Sequence, residues 1–285
     1  MKKYLLVVAI FCSCHNSDRN GRVLVHNPEK TFRESTSVDK EKNGMNINEW
    51  KQIEYEDSVQ LKVMLKDLLR IASQNRWRNS FHKESSSWNY QNASCSASLS
   101  FGYLFSKNEK HLITRRSIAG SEIHIDIFVL RGTKFKPLLT TGLDMMGYLG
   151  DTVRDVNGDF YKDYLFHWYS SAGCCRRDVY AVYLYDGSRN TFSKKYTFMN
   201  PTFSSKEKII RGVEYGHPGE VPLYKYKWNG TKVDTIEFIY PDTAKGKFYL
   251  SKIEDFDLAK QKGKVLNSLP QEYRNIESID WFLFY

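Results

Sequence analysis

One short stretch of the chain spaces oxygen-bearing side chains in a way that suits a metal ion. Residues 155–163 read DVNGDFYKD, and the first, third, fifth and ninth positions are Asp155, Asn157, Asp159 and Asp163. Tyr161, at the seventh position, can offer its backbone carbonyl. A curled chain turns alternate residues inward, and Ca²⁺ takes about six to eight oxygen ligands. These five residues are therefore the predicted ligands of a structural calcium ion.

A polar turn without a metal is the alternative. Asp, Asn and Gly favour turns for backbone reasons alone, and Lys162 can balance part of the negative charge. The stretch is not an EF-hand, since that loop needs Gly at position six and Glu at position twelve. Phe160 and Phe166 occupy those positions. The missing Gly predicts a different curvature, and the missing Glu predicts modest affinity.

The start of the chain has the pattern of a signal peptide. Lys2 and Lys3 precede an apolar run, residues 4–11, that is shorter than the ~20 residues needed to span a bilayer. The FCSC that follows resembles a bacterial lipobox, in which the last cysteine, here Cys14, is lipidated. We therefore expect residues 1–13 to be a lipoprotein signal. Ordinary secretion with cleavage near Ser13 is the alternative.

A polar segment, residues 14–45, follows and contains few apolar residues. Such a composition cannot bury enough surface to offset the entropy of ordering, so it predicts a flexible tether. Together with a lipid on Cys14, the tether predicts a protein anchored in the bacterial cell envelope. We expect the outer membrane as the anchoring membrane and the periplasm as the compartment that the domain faces.

The chain is basic, with a formal net charge of +9 that falls to +7 without Lys2 and Lys3. The charge can be a solvated surface alone, or it can attract an anionic partner such as lipid headgroups or cell-wall polymer. Nucleic acid is not expected as a partner, because no basic helix or Arg-rich block is present. A protein or cell-wall partner in the envelope is therefore predicted.

Three cysteines remain besides Cys12 of the signal and the lipidated Cys14, namely Cys95, Cys174 and Cys175, and an oxidising compartment would permit disulfides. A bond between Cys174 and Cys175 is disfavoured, because adjacent Cα atoms lie ~3.8 Å apart and disulfides prefer ~5.5 Å. Pairing of Cys95 with either one is easier, and the choice between them stays open.

The pattern of apolar residues predicts a mainly β protein with an N-terminal amphipathic helix. Apolar residues recur at helical spacing to about Ser73, after a capping box at Asp57. Residues 74–100 are predicted to be loop with short strands. We therefore divide the folded part into a helix-containing segment, 46–100, and a β domain, 101–285.

Three antiparallel hairpins are predicted in the β domain, because alternating strands flank turn glycines. The turns contain Gly132, Gly187 and Gly230, which lie 55 and 43 residues apart. These intervals approach the ~40–50 residue repeat of propeller blades. The fold class is therefore antiparallel hairpins in a propeller-like or sandwich domain. Residues 257–266 are predicted to be a short helix interrupted by Gly263, and residues 276–285 to be the last strand.

The Asp-rich stretch, followed by aromatic strand residues, resembles one FG-GAP or VCBS-type repeat. The runs VYLYD at 182–186 and YKYKWNG at 224–230 are similar to a family of bacterial periplasmic lipoproteins with one such loop. That resemblance covers roughly residues 123–240. It implies a propeller-like β domain with one calcium loop and, since some members are immunity proteins, inhibition of a lysozyme-like wall hydrolase. Phe160 and the basic charge depart from the family pattern.

No established catalytic motif is present in the sequence: HExxH, GxSxG and the Walker and Rossmann glycine patterns are absent. His167 with Cys174 or Cys175 would form a thiol pair, but a structural cysteine is the preferred interpretation. The prediction is a non-catalytic binding protein. The alternative is a peptidoglycan or glycan hydrolase, because such enzymes need only two carboxylates and no fixed spacing.

Overall fold

The computed structural model describes residues 47–90, 93–118, 122–144, 147–169 and 178–284. The signal segment, Cys14 and the tether lie outside these residues. Antiparallel strands dominate, which confirms the mainly β class with an N-terminal amphipathic helix. The helices are α1 (Ile47–Gln74), α2 (Phe256–Lys262) and α3 (Ile279–Leu283), with a 3₁₀ turn at Gln271–Tyr273.

Three large sheets are wound as meanders, and every neighbouring pair of strands is antiparallel. The first sheet has the order β1 (Ser80–Tyr90), β2 (Ala93–Gly102), β3 (His111–Ile118), β4 (Glu122–Arg131), β5 (Lys134–Asp144). The second has the order β11 (Tyr196–Met199), β8 (Asp178–Tyr183), β7 (Asp163–Tyr169), β6 (Tyr148–Arg154). The third runs β12 (Pro201–Ser204), β13 (Ile209–Val213), β14 (Leu223–Asn229), β15 (Lys232–Asp242), β16 (Lys247–Ser251), β17 (Lys264–Leu266). A two-stranded ribbon joins β9 (Tyr185–Asp186) and β10 (Thr191–Phe192).

The three predicted hairpins are confirmed as β4–β5, β9–β10 and β14–β15. Gly132 and Gly230 lie at the tips of the first and last of these hairpins, with φ of 58° and 59°. That left-handed conformation favours glycine in tight hairpin turns. The turn glycines therefore specified the strand pairing correctly.

The second sheet is buried on both faces between the other two. Tyr164 and Phe166 pack in a core with Ile125 and Ile127 of the first sheet. Leu165 points the opposite way and packs in a core with the third sheet. Because successive side chains of a strand point to opposite faces, β7 contributes to two cores at once.

The outer sheets are each covered by helical segments on the face that is turned away from the second sheet. The buried face of α1 packs on the first sheet through Leu61, Met64, Leu68 and Ala72. Leu223 and Ile239 of the third sheet pack with Phe282 in the C-terminal segment. The layers therefore follow the order α1, first sheet, second sheet, third sheet and C-terminal helical segment.

The predicted start of the helix at Asp57 is wrong, because α1 already begins at Ile47. Residues 47–74 contain neither Gly nor Pro, so nothing in the chain interrupts the helix. Ser58 does not act as part of a cap; its hydroxyl donates to the carbonyl of Tyr55 at 2.8 Å.

The prediction of loop with short strands for residues 74–100 is also wrong. Strands β1 and β2 occupy most of this segment, and β2 continues across the predicted boundary between residues 100 and 101. Cys95, Ala97, Leu99 and Phe101 are buried against α1, with serines between them. Apolar residues and serines alternate with a period of two along this strand. The first two apolar residues, Cys95 and Ala97, are small, so the pattern is weak in the sequence.

The C-terminal segment forms helix α3 and not the predicted last strand. Ile276 and Phe282 are buried in the same core, and their six-residue spacing would also place both on one face of a strand, so the apolar pattern did not exclude a strand. The predicted short helix at 257–266 is confirmed only in part. Helix α2 ends at Lys262, and the residues after Gly263 form β17.

None of the helices in the described part of the chain is both long and apolar enough to cross a membrane.

We predict that Leu165→Ala lowers the free energy of unfolding by roughly 2–5 kcal/mol, because Leu165 has no exposed surface and its loss leaves a cavity. Leu149→Ala, at a 57% exposed position of β6, is the matched control, with an expected change within about 0.5 kcal/mol. Urea denaturation measures both. Equal losses in the two variants would contradict the buried middle sheet.

Candidate cation-binding loop

The Asp-rich stretch connects β6 to β7 and lies where the ends of all three sheets meet. The amide of Lys162 donates to the carbonyl of Phe105 in the first sheet's β2–β3 connection, at 3.1 Å. A Cβ added to Gly158 would lie 2.3 Å from the carbonyl oxygen of Ser205 in the β12–β13 turn. On the ribbon side, the ring of Tyr161 covers Gly187. The loop is therefore held by both neighbouring sheets.

Three of the predicted ligands curl the loop through hydrogen bonds to its own amides. The Asp155 carboxylate accepts from Gly158 N at 2.7 Å and from Phe160 N at 3.0 Å. The side chain of Asn157 accepts from Asp159 N at 3.2 Å and donates to the Asp159 carboxylate at 3.0 Å. Asp159 also accepts from Tyr161 N at 2.9 Å. The structure thus brings the side chains of Asn157 and Asp159 together, whereas Asp155 contacts the backbone of the loop.

Asp163 has a different position from the other loop carboxylates. It is the first residue of β7 and has no exposed surface. One carboxylate oxygen accepts from Val156 N and the other from Tyr185 N, both at 3.0 Å. Its carboxylate therefore joins the loop to strand β9, besides any contact that it makes with an ion.

The charges of the loop carboxylates act on one another. Burial raises the pKa of Asp163 to about 7 against the opposing effect of its two amide donors, and the negative charges of Asp159 and Asp155 raise it further. A cation near these groups would favour the ionised form. The hard oxygen atoms of Asp155, Asn157 and Asp159 are of the kind that Ca²⁺ prefers. The oxygen donors and their charge are of the kind that a calcium ion binds, and the ion itself stays a prediction.

Within the described residues, no three His, Cys, Asp or Glu side chains are grouped closely enough to hold a metal ion. The predicted ligand set is a mixed one, because it includes the amide of Asn157 and the carbonyl of Tyr161. Asp151, four residues upstream of the loop, is not directed to it. Its carboxylate binds Arg115 of β3 in a bidentate ion pair and accepts from the hydroxyl of Tyr148 at 2.7 Å.

The expectation of a different curvature without Gly is wrong at position six. Phe160 has φ of 72°, equal to that of Gly158, so its backbone lies in the left-handed region that a glycine favours. The Phe160 side chain is 95% exposed. The loop therefore has the glycine-like backbone with an aromatic side chain on it.

Most of the cysteines considered for lipidation or disulfide bonds lie outside the described residues. Cys174 and Cys175 lie there, as does Cys14, so the disulfide prediction stays a prediction. Cys95 is buried in the core beneath α1. His167, considered as a partner of the two cysteines, contacts the Asp178 carboxylate at 3.0 Å and stacks on Tyr180 with ring centroids 4.2 Å apart.

A group of carboxylates and tyrosines on the third sheet was missed in the sequence. Glu214 follows β13 and accepts from the hydroxyl of Tyr226 at 3.4 Å. Desolvation raises the pKa of Glu214 to about 7, with a further contribution from the charge of Glu254. Burial raises the pKa of the Tyr240 hydroxyl, and the negative charges of Glu254 and Glu214 raise it further. No local motif marks this group, because its members are far apart in the chain.

Comparisons with known proteins assign no family. No family model matches the chain, and no curated protein matches it. A solved structure described as "Structure of a Xanthomonas Type IV Secretion System related protein" is 13% identical, with a TM-score of 0.32. The alignment covers 66% of this chain and 100% of that one. A likeness this weak carries no functional inference.

We predict that Asp163→Ala destabilises the protein by roughly 1–3 kcal/mol in the presence of a chelator, since a buried amide then loses its acceptor. Asp257→Ala removes a carboxyl at an exposed position outside the loop and should change stability by about 0.5 kcal/mol or less. Denaturant unfolding at about pH 4 compares them, because the raised pKa of Asp163 keeps its buried carboxyl neutral there and the variant gains nothing from losing a charge. Equal effects would refute the bridging role of Asp163.

Proposed function

We propose that the protein is a non-catalytic binding protein of the bacterial cell envelope, anchored by a lipid on Cys14 and stabilised by Ca²⁺ in the Asp-rich loop. The curled arrangement of Asp155, Asn157 and Asp159 is the observation that carries this proposal. The side chains of Asn157 and Asp159 are hydrogen-bonded to each other, and the Asp155 carboxylate accepts two amides of the same loop.

The loop carboxylates have acceptor capacity beyond the bonds that they make. Each carboxylate oxygen offers two lone pairs, and each oxygen of Asp155 accepts one amide hydrogen bond in the loop. Calcium is commonly bound by carboxylates that also accept backbone hydrogen bonds from their own loop. We assign Asp155, Asn157, Asp159, Asp163 and the carbonyl of Tyr161 as its ligands in this proposal.

A cation in this position would act on the structure and not on a substrate. The loop touches the turn at Ser205 and the connection at Phe105, so an ion would fix the ends of three sheets relative to each other. Bound Ca²⁺ would supply positive charge between the carboxylates and nothing further. The ends of the three sheets would then form one rigid part of the molecule.

The envelope location and the partner follow from the sequence alone in this proposal. The lysines, the apolar run and the FCSC at residues 11–14 support a lipid anchor. The resemblance to periplasmic lipoproteins supports a macromolecular partner, and inhibition of a cell-wall-degrading enzyme is the form of binding that it suggests. Because the chain is basic, it would associate slowly with a basic hydrolase. A partner that presents an acidic face to it would be favoured.

A hydrolase acting on peptidoglycan or another glycan is the second candidate, and Glu214 is the observation that favours it. A carboxyl with a pKa raised to about 7 beside a second carboxylate, Glu254, is a pattern suited to general acid catalysis. Raised pKa values also occur in structural carboxylates, so this candidate ranks second.

We expect calcium to raise the melting temperature of the full chain, carrying Cys14→Ser to prevent lipidation, compared with a chelator. At ~100 times its dissociation constant a ligand adds ~2.7 kcal/mol to the free energy of unfolding. The increase should disappear in Asp155→Ala/Asp159→Ala. Asp234→Ala/Asp257→Ala, which removes two exposed carboxylates elsewhere, should retain it. Identical responses of the wild type and both double variants would rule out the loop as the calcium site.

Incubation with purified peptidoglycan separates the two candidates. The binding-protein proposal expects no release of soluble fragments. The hydrolase candidate expects release that falls as the pH rises through about 7, because Glu214 must be protonated to donate. It also expects the activity to be lost in Glu214→Gln and retained in Glu220→Gln, an exposed control. Activity with this pattern would overturn the first proposal, whereas an inactive wild type would remove the second.

A further inference from the structure

The Asp-rich loop carries an aromatic ring in a position that the fold does not use. Phe160 is 95% exposed, the most exposed of the large apolar side chains in the described residues. Its φ of 72° lies in the left-handed region, which a bulky residue occupies only with strain. Strain without burial indicates that the ring has a role outside the fold.

The loop would form the same hydrogen bonds with glycine at this position. The Phe160 amide, which donates to Asp155 at 3.0 Å, is a backbone group that every residue except proline has. The next residue, Tyr161, has its amide on Asp159 at 2.9 Å and its ring over Gly187. These contacts fix the loop on both sides of Phe160. The phenyl ring therefore projects from a rigid base.

Four lysines lie on the loop that carries this ring or on the two segments that contact the loop. Lys162 is two residues away, and Lys208 lies against Gly158, where an added Cβ would meet its Cγ at 3.1 Å and its Cε at 3.2 Å. Lys206 follows Ser205 in the same turn. Lys107 belongs to the connection whose Phe105 carbonyl accepts the Lys162 amide. All four lysines are exposed.

The acidic groups near the ring are either paired or part of the loop itself. Glu207, between the two lysines of the turn, binds Arg211 in an ion pair. Asp186 at the adjacent ribbon binds Arg189. Asp155 and Asp159 remain, and bound calcium would neutralise them. We call the surface formed by Phe160, Lys107, Lys162, Lys206 and Lys208 the basic tip.

We propose that the basic tip docks the domain on an anionic phospholipid surface, with the Phe160 ring entering the headgroup–acyl boundary and the lysines contacting phosphates. A convex tip with one protruding ring suits a bilayer, which deforms around it, whereas a protein partner would need a matching pocket. Aromatic rings and lysines are the groups that combine at anionic membrane interfaces. The inference rests on the proposed function only for the neutralisation of Asp155 and Asp159 by calcium.

Vesicle binding by the full chain with Cys14→Ser tests the proposal, because no lipid can then attach at that residue. We expect more binding to vesicles of equimolar phosphatidylcholine and phosphatidylglycerol than to phosphatidylcholine alone, and a decrease with added salt. Phe160→Gly should lower the partition coefficient about tenfold and raise the melting temperature, because it relieves the strained backbone. Lys206→Gln/Lys208→Gln should lower binding without that stabilisation.

Phe284→Gly is the matched control, because Phe284 is also exposed, at 66%, and has φ of 62°. It should leave vesicle binding unchanged. Phe160→Trp adds a direct readout: relative to the wild type, its extra tryptophan emission should shift to shorter wavelength on anionic vesicles only. Equal binding of the wild type and Phe160→Gly to anionic vesicles, or no shift in Phe160→Trp, would overturn the proposal.

Melting curves with calcium and with chelator on the same proteins keep the two proposals apart. A calcium response in the wild type and Phe160→Gly, without vesicle binding, would overturn the basic tip and leave the calcium loop standing. Vesicle binding that depends on Phe160 and is unchanged by calcium or chelator would support the basic tip and count against the cation.

Discussion

The carboxylate of Asp163 is the contact on which the arrangement of the sheets depends. It lies at the boundary between the loop and β7, and it accepts amides from Val156 on one side and Tyr185 on the other. A buried carboxylate with a single amide donor would leave one oxygen unsatisfied at a considerable cost in free energy. The two donors therefore fix both the closure of the loop and the position of the ribbon strand that begins at Tyr185.

The residues after Asp163 show why this fixed point matters for the rest of the fold. Tyr164, Leu165 and Phe166 alternate between two cores, so a shift of β7 by one residue would exchange their faces. Such a shift would place Leu165 against the isoleucines of the first sheet and the two rings against the third. The anchored start of the strand opposes that slip. One polar contact thus sets the register for the only sheet of the described part that has large sheets on both sides.

Local patterns in the sequence predicted local structure well and long-range contacts poorly. The turn glycines Gly132 and Gly230 marked hairpins because a left-handed residue in a tight turn needs no information from elsewhere in the chain. Strand β2 was missed although it alternates, because serines separate apolar residues that begin with the small Cys95 and Ala97, and small residues give a weak periodic signal. The C-terminal helix was mistaken for a strand because an aromatic-rich run is compatible with both when it is short.

The candidate site shows the same difference between local features, which the sequence predicted, and long-range contacts, which it did not. The spacing of Asp155, Asn157 and Asp159 predicted that their side chains come together, since residues two apart in a curled loop face the same side. The packing of Ser205 against Gly158 and the bonds of Asp163 to other elements depend on how the three sheets stack, which no local pattern encodes. Glu214 was missed for the same reason, because its environment is built from strands that are distant in sequence.

Both local hydrogen bonds and long-range packing determine the backbone at Phe160. A loop closed by its own carboxylates and held by two sheets imposes a left-handed backbone at its sixth residue, whatever side chain stands there. Glycine would satisfy that backbone with less strain, so phenylalanine adds nothing to the fold that glycine would not provide. Its ring is almost wholly in solvent, where water must order around an apolar surface, and four lysines lie on its loop or on the segments that contact the loop. The backbone strain opposes the folded state, whereas the ring is in water in the folded and the unfolded chain alike. The free energy of hydrating the ring is recovered only if the ring leaves water at a surface that also attracts lysine. The feature of the loop that is least favourable for stability is therefore the one most readily explained by contact with a second, anionic phase.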